Sequence, residues 1–363
     1  MTPGPRPPGY GRGALSDLLP GIGARLGLGG GDVLGLPDAR RYLVLLIDGL
    51  GWDSWSGADG WGLGASVSPI DAGAPSTTAT SLTSLGTGLP PGQHGMAGYS
   101  FRLGQEIFSP LRWPKRVSAD DVQPRLTWFQ RLAKAGVGVA QVAAAEFGAT
   151  GLTRAAFAGA RFDGVPDEDD LDALARRAAW SVAAEPSVGY LYHRALDHAG
   201  HSAGVGSAPW WEQLRRAGEL VGRVREALPA DAVLIVVGDH GMVDVPRGER
   251  VVIEECPALA RGVDLVGGEA RFRQLYTDEP DAVARRWADE LGERAWVMRR
   301  DEAIEAGWFG EVAPGLASRW GDVIVAARGT FGALTTAFPK EWTLRGMHGS
   351  LTDAELSVPL AVL

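Results

Sequence analysis

Four apolar runs constrain this chain more than anything else in it: Tyr42–Ile47 (YLVLLI), Val137–Val142 (VGVAQV), Val188–Tyr192 (VGYLY) and Ala232–Val237 (AVLIVV). None alternates apolar with charged residues, so each reads as a strand buried on both faces, as in a parallel sheet. Helical stretches lie between or after them, at Leu126–Ala135, Leu171–Ala184 and Trp210–Ala227. Alternating strand and helix predicts an α/β fold with a doubly wound, mostly parallel central sheet flanked by helices and joined by right-handed crossovers. From about residue 251 to 345 the texture changes. Short β-like pieces (RFRQLYT, RAWVMRR, DVIVAARG) surround the helical ARRWADELGE, which predicts an inserted α+β cap subdomain. The closing VPLAVL is then expected to return as a strand of the main sheet. Residues 1–12, rich in Pro and Gly, are expected to be a flexible tail preceding a folded unit of residues 13–363.

Three of the four strands run into acidic or histidine residues. YLVLLI ends in Asp48-Gly49, VGYLY leads to Asp197-His198-Ala199-Gly200-His201, and AVLIVV ends in Gly238-Asp239-His240-Gly241. In an open α/β sheet, ligands bind in the crevice outside the carboxyl ends of the strands. Carboxylates gathered there repel one another unless a divalent cation sits between them, and Asp with His is the ligand mix of zinc or a similar transition metal. Asp197 and His201, four residues apart, can face one ion. Asp239 and His240 can share one only on an irregular loop, which the flanking glycines permit. His348, in RGMHGS, lies before the final strand and is expected at the same sheet edge.

The net charge of −9 argues against a partner as anionic as duplex nucleic acid, though metal ions would still gather a small phosphate compound. Cys256 is the single cysteine, so neither a disulfide within the chain nor a thiolate metal cage is expected. No apolar run reaches the roughly 18 residues of a membrane span, and the N-terminus lacks the apolar stretch of a secretion signal. No membrane association and a cytoplasmic location are therefore expected.

The stretch PSTTATSLTSLGTG, Pro75 to Gly88, is crowded with hydroxyls at what reads as the start of a helix. Capping of free N–H groups by Ser76, Thr77 or Thr78 would account for some of them. The ordered set LLIDGLGWD, PSTTATSLTSLGTGLPPGQHG, DHAGHSAG, VVGDHGM and GMHGS resembles the motifs of the alkaline phosphatase superfamily, most closely its nucleotide pyrophosphatase/phosphodiesterase branch, from about residue 40 to the end. The resemblance implies an alkaline phosphatase-like catalytic domain with two divalent ions, zinc first, with manganese or iron as alternatives. One would be held by Asp197, His201 and His348, and the other by Asp48, Asp239, His240 and the nucleophile's oxygen.

In relatives the nucleophile opens a helix ten residues before the Gly of a Thr-Gly turn. That register implies Thr78, with Thr77 as its rival, and leaves the remaining hydroxyls to helix surface and caps. The implied reaction is attack on phosphorus to give a phospho-threonine, followed by hydrolysis. Two departures bear on substrate. Where relatives place an aromatic residue just after the nucleophile this chain has Ala79, and where they place an asparagine it offers Tyr99 as the substrate donor. The expected substrate is a phosphodiester or nucleotide pyrophosphate. Phosphomonoesters and phosphonates such as phosphonoacetate are the rival substrates, and a metal-dependent nucleotide-binding protein is the rival without catalysis. His94 is expected to be a structural turn residue, His193 and His198 packed or solvent-facing, and Cys256 an inert thiol.

Overall fold

The four apolar runs become neighbouring strands because burial on both faces leaves them no other stable partner. In a computed structural model describing residues 4–57, 59–62 and 64–363, they span Arg41–Ile47 (β1), Gly138–Ala144 (β3), Ser187–His193 (β5) and Ala232–Val237 (β6). Two further strands, Ser66–Asp71 (β2) and Arg161–Val165 (β4), close the edges, and Ser357–Val362 (β11) is the returning strand expected from VPLAVL. The order is β2-β11-β6-β1-β5-β3-β4, with β11 antiparallel to both of its neighbours and the remaining pairs parallel. The edge strands are less legible in sequence because they are only partly buried and β2 carries a proline, Pro69.

Side chains of β1 alternate between two cores. Tyr42, Val44 and Leu46 join one, while Leu43, Leu45 and Ile47 join the other. The first is covered by helix Thr78–Thr87 (α1) and helix Gly151–Phe157 (α2), the second by Leu171–Ser181 (α3) and Ala208–Ala227 (α5). Between β5 and α5 lies the short helix Ala195–Ala203 (α4). The expected helix Leu126–Ala135 is observed at Trp128–Lys134, opened by a capping box between Thr127 and Gln130. Among the described residues no helix is long and apolar enough to cross a membrane.

The chain leaves the main body after Val243–Asp244 and returns at Gly346–Met347, two short strands that pair with each other. The region between them builds a four-stranded antiparallel sheet from Leu265–Glu269 (β7), Phe272–Tyr276 (β8), Ala295–Arg299 (β9) and Val323–Ala327 (β10), in the order β7-β8-β10-β9. Its strands have period two. Val323, Val325 and Ala327 pack with Val283, Trp287 and Leu291, the last three from helix Pro280–Leu291 (α6), whereas Ile324 and Ala326 join the core of the main domain.

Residues 4–12 depart from the free tail expected of their composition. Arg6 pairs with Asp71, Gly9 N–H donates to the same carboxylate at 2.7 Å, and the Tyr10 hydroxyl donates to Trp308 O at 3.1 Å and accepts from Ala74 N at 3.0 Å. Specific polar anchors, which composition does not weigh, hold this segment against both domain and cap.

One tie between cap and domain is a buried ion pair. Arg271, on the turn between β7 and β8, donates twice to Glu355, at 3.0 and 2.6 Å, with both side chains fully buried. Glu355 also accepts from Ser350 N at 3.1 Å, which fixes the loop carrying His348. Removing one partner strands a charge in the interior. Arg271→Met should therefore cost about 3–5 kcal/mol in urea unfolding, and the double change with Glu355→Leu should cost less than the single one.

Candidate functional site

Parallel register brings three carboxylates to one end of the sheet. Leu46 of β1 lies opposite Tyr192 of β5 and Val237 of β6, so these strands end level with one another. Asp48 follows β1, Asp239 follows β6, and Asp197 sits in the first turn of α4. Their approach requires glycine. Gly49 has φ +76° and packs with its Cβ position 3.0 Å from Asp197 Cα, while any side chain at Gly238 would meet Leu50 O at 2.0 Å. Asp48 N donates to His193 O at 2.9 Å, Asp197 N to Asp48 O at 3.1 Å, and Gly49 N to Asp239 Oδ1 at 3.1 Å, so backbone bonds lock the three loops together.

Three histidines face these carboxylates, each oriented from behind. Nδ1 of His201 lies 2.8 Å from Gly346 O, Nδ1 of His240 lies 3.0 Å from Gly241 O, and Nδ1 of His348 lies 3.0 Å from Ser76 O. A carbonyl only accepts, so each Nδ1 carries the hydrogen and each Nε2 is turned to the cluster, the arrangement of metal-ligating imidazoles. His201 Nε2 is 3.3 Å from Asp197 Oδ1, and His348 Nε2 is 4.0 Å from the same oxygen. His240 Nε2 is 3.3 Å from Asp48 Oδ1 and 3.6 Å from Asp239 Oδ2. Asp48, Asp239 and His240 form one set with ligand atoms within 4.8 Å of one another, and Asp197, His240 and His348 form a second.

The donor set fits divalent metal. Asp48 Oδ1, Asp197 Oδ1 and Asp239 Oδ2 are buried without a hydrogen-bond partner, a costly state for carboxylate oxygens unless a cation meets them. Burial and the charge on Asp48 push Asp197 and Asp239 well above the usual carboxylate range. Burial alone would also raise Asp48, but His240 and the Tyr192 hydroxyl, which donates to Asp48 Oδ2, leave it lowered. Burial would depress His240, yet Asp239 and Asp48 outweigh that and raise it to about 10. A proton on His240 Nε2 thus supplies the counter-charge that a metal ion would replace.

Thr78 is the first residue of α1, and its Oγ1 lies 3.2 Å from His240 Nε2. The helix N-terminus behind it offers partial positive charge and free N–H groups. Thr77 occupies the N-cap position with extended backbone but makes no side-chain cap; its hydroxyl instead donates to Glu269 Oε2 at 3.4 Å. The expectation that the other hydroxyls are helix surface is corrected, because Ala79–Thr87 is buried throughout. Thr83 and Thr87 donate to carbonyls four residues back, Thr80 donates to Met96 O, and Ser84 bonds His94. Small hydroxyl side chains let α1 pack closely: a Cβ at Gly86 would fall 1.8 Å from Ala156 O of α2.

Two cavities meet at Thr78. One, of about 430 Å³, is lined by Asp48, Asp197, His201 and His348 of the cluster together with Tyr99, Glu269 and Lys340; the other, of about 450 Å³, is lined largely by apolar and aromatic groups including Trp113, Phe147, Leu152 and Tyr190. Glu269, Tyr192 and Lys340 carried no sequence signal, since two sit in the cap and the third ends an apolar run. Of the basic residues nearest the motifs, Arg194 reaches the first cavity but pairs with Glu146 and Glu168, and Arg345 does not line it. His193 is buried and His198 exposed, and neither joins a metal-binding set among the described residues; Cys256 is a partly buried free thiol.

Residues 42–351 match the type I phosphodiesterase/nucleotide pyrophosphatase family. The chain belongs to that family. It is accordingly a phosphoric ester hydrolase with the alkaline phosphatase-like fold. Among solved structures, murine ectonucleotide pyrophosphatase/phosphodiesterase 5 superposes with a TM-score of 0.70 at 18% identity, covering 89% of this chain and 88% of its own. The human counterpart gives 0.69 at 16%, covering 89% and 87%. An inactive threonine-to-alanine form of the murine protein, in complex with AMP, gives 0.70 at 17%, also covering 89% and 87%. No curated protein sequence matches the chain.

His94 shows how the helix under Thr78 is held. Its Nδ1 accepts from Met96 N at 3.1 Å, so Nε2 carries the hydrogen and donates to Ser84 Oγ at 2.9 Å. Burial, with nearby Arg319, lowers this histidine to about 3. Unfolded, it titrates near 6.5. Between those values the unfolded chain binds a proton the native chain does not, so this contribution is lost as pH falls below about 6.5. His94→Gln should reduce the pH slope of unfolding free energy in that window by up to about 1.4 kcal/mol per pH unit, measured by urea titrations at several acidic pH values.

Proposed function

We propose that this family member is a two-metal phosphodiesterase or nucleotide pyrophosphatase with Thr78 as nucleophile. The observation that carries the reading is the position of Thr78 Oγ1 at a buried helix N-terminus, 3.2 Å from His240 Nε2 and beside carboxylate oxygens that lack partners. Asp197, His201 and His348 would hold one cation, and Asp48, Asp239, His240 and Thr78 the other. Two such ions, zinc first and manganese or iron otherwise, would supply Lewis acidity that favours the alkoxide of Thr78 and offsets charge on the phosphoryl group.

The chain's own residues do the rest. Thr78 Oγ1 forms a bond to phosphorus as the leaving-group oxygen departs, giving a phospho-threonine and releasing the alcohol or phosphate fragment. Water then hydrolyses the phospho-threonine and regenerates the hydroxyl. Free N–H groups at the start of α1 and the Tyr99 hydroxyl, which lines the same cavity, donate to the phosphoryl oxygens. The apolar cavity beyond Thr78 receives the organic group. It provides the aromatic surface that Ala79 does not, and the murine protein captured with AMP makes a nucleoside the leading occupant. The cap, through Glu269 and Lys340, shapes the side of the departing group.

Thr78→Ala should lower turnover of a chromogenic phosphodiester by about 10³-fold or more while the protein still binds two metal equivalents by elemental analysis; Thr77→Ala should lose far less. Reversed ranking would move the nucleophile by one residue.

A dianionic monoester carries more charge than a diester. The cations lining the metal-side cavity are Arg194, already paired with two glutamates, and exposed Lys340. Bis-p-nitrophenyl phosphate should therefore give a higher kcat/KM than the mono ester, and Tyr99→Phe should cost about 1–2 kcal/mol of transition-state stabilisation. Monoester preference of tenfold or more would mean that Lys340 reaches the phosphate, and would make the enzyme a phosphomonoesterase.

A further inference from the structure

Helix α4 has two faces. One delivers Asp197 and His201 to the catalytic cluster, and the other, through His198 and Ser202, walls a second cleft of about 830 Å³. Its floor is the carboxyl ends of β3, β4 and β5 at Ala144, Val165 and His193, and its far wall is the start of α5 at Pro209, Glu212 and Gln213.

Charge in this cleft is unbalanced. Glu146, Asp167, Glu168, Asp169 and Glu212 line it against a single lining cation, Arg194. Arg194 pairs with Glu146 and Glu168, while Arg216 pairs with Asp169 and Arg215 with Glu212. Asp167, exposed at the rim, has no ion-pair partner among the described residues.

Hydrogen bonding is unbalanced in the same sense. Oε1 of Glu168, Oε1 of Gln213 and Nδ1 of His193 are all buried without a partner. His193 is 2% exposed. Two orphaned side-chain oxygens, of Glu168 and Gln213, call for an occupant rich in N–H donors. Excess negative charge calls for a cation.

A bare metal ion does not meet these demands. Among the described residues, both triads of ligand atoms close enough to share an ion belong to the catalytic cluster. The cleft offers instead separate acceptors: the buried, unpartnered oxygens of Glu168 and Gln213, and the exposed carboxylate of Asp167, whose Oδ1 also accepts from Asp169 N at 2.9 Å. We propose that it binds a linear aliphatic diamine or polyamine, with one ammonium group at Glu168 and Gln213 and another at Asp167. Arg194 and His198 line both this cleft and the catalytic cavity, so an occupant would press on a wall the two share.

Isothermal titration of 1,4-diaminobutane into metal-loaded protein tests this. One saturable site per chain is expected. Glu168→Gln and Gln213→Ala should each weaken it by about tenfold, the scale of a lost hydrogen bond to a charged group, and Thr78→Ala should leave it unchanged. Gln213→Ala, on partly exposed α5, keeps the test sound should release of Arg194 in Glu168→Gln disturb the fold. Absence of saturable binding, affinity untouched by both substitutions, or displacement by magnesium at the concentration that suffices for diamine would each overturn the proposal.

Discussion

Mutual repulsion among Asp48, Asp197 and Asp239 is the constraint around which this molecule is arranged. The parallel register of three strands sets these carboxylates at one level, and glycine turns let them approach more closely than side-chain-bearing loops would allow. Such a group can ionise fully only with opposite charge among it. Three imidazoles turned by backbone carbonyls, with His240 held protonated in the absence of metal, meet that requirement and prepare the same atoms for divalent cations. Chemistry and stability therefore draw on one set of contacts.

The cap takes part in this arrangement as well as covering it. Arg271 reaches Glu355, Glu355 holds Ser350, and Ser350 Oγ donates to Ala327 O of β10, so the loop that presents His348 is gripped from the cap side. Glu269 of β7 lies 3.7 Å from His348 Nδ1 and accepts from Thr77. Burial raises its carboxyl well above the ordinary range. Movement of the cap would thus be felt at His348 and at Thr77, the residue next to Thr78.

Beneath Thr78, α1 is a buried helix: Thr83 and Thr87 bond its own carbonyls, while Thr80 and Ser84 tie it to Met96 and His94. A helix with larger apolar residues could not approach α2 as Gly86 does, nor leave space for both cavities that meet at Thr78. Its hydroxyl composition is a packing solution first, and one of those hydroxyls carries the proposed chemistry.

The four central strands and their order of acids and histidines were legible in the sequence because each is a local pattern: a doubly buried run, a strand-end motif. Asp48, Asp197, His201, Asp239, His240 and His348 stood out as strand-end or loop residues and Thr78 only through the motif resemblance; in the fold His201 lies 3.3 Å from Asp197, His240 3.3 Å from Asp48, and Thr78 Oγ1 3.2 Å from His240. What required tertiary structure was everything set by contacts between distant segments. Tyr192 meets Asp48 across neighbouring strands, Glu269 and Lys340 arrive from the cap, and the N-terminal residues are pinned by Asp71 and Trp308. The burial of the hydroxyl-rich helix belongs here too, since a helix rich in Ser and Thr reads as surface until packing encloses it. Local sequence fixes which chemical groups a strand end carries; only the packing of remote segments fixes their partners, their charge and the shape of the space they face.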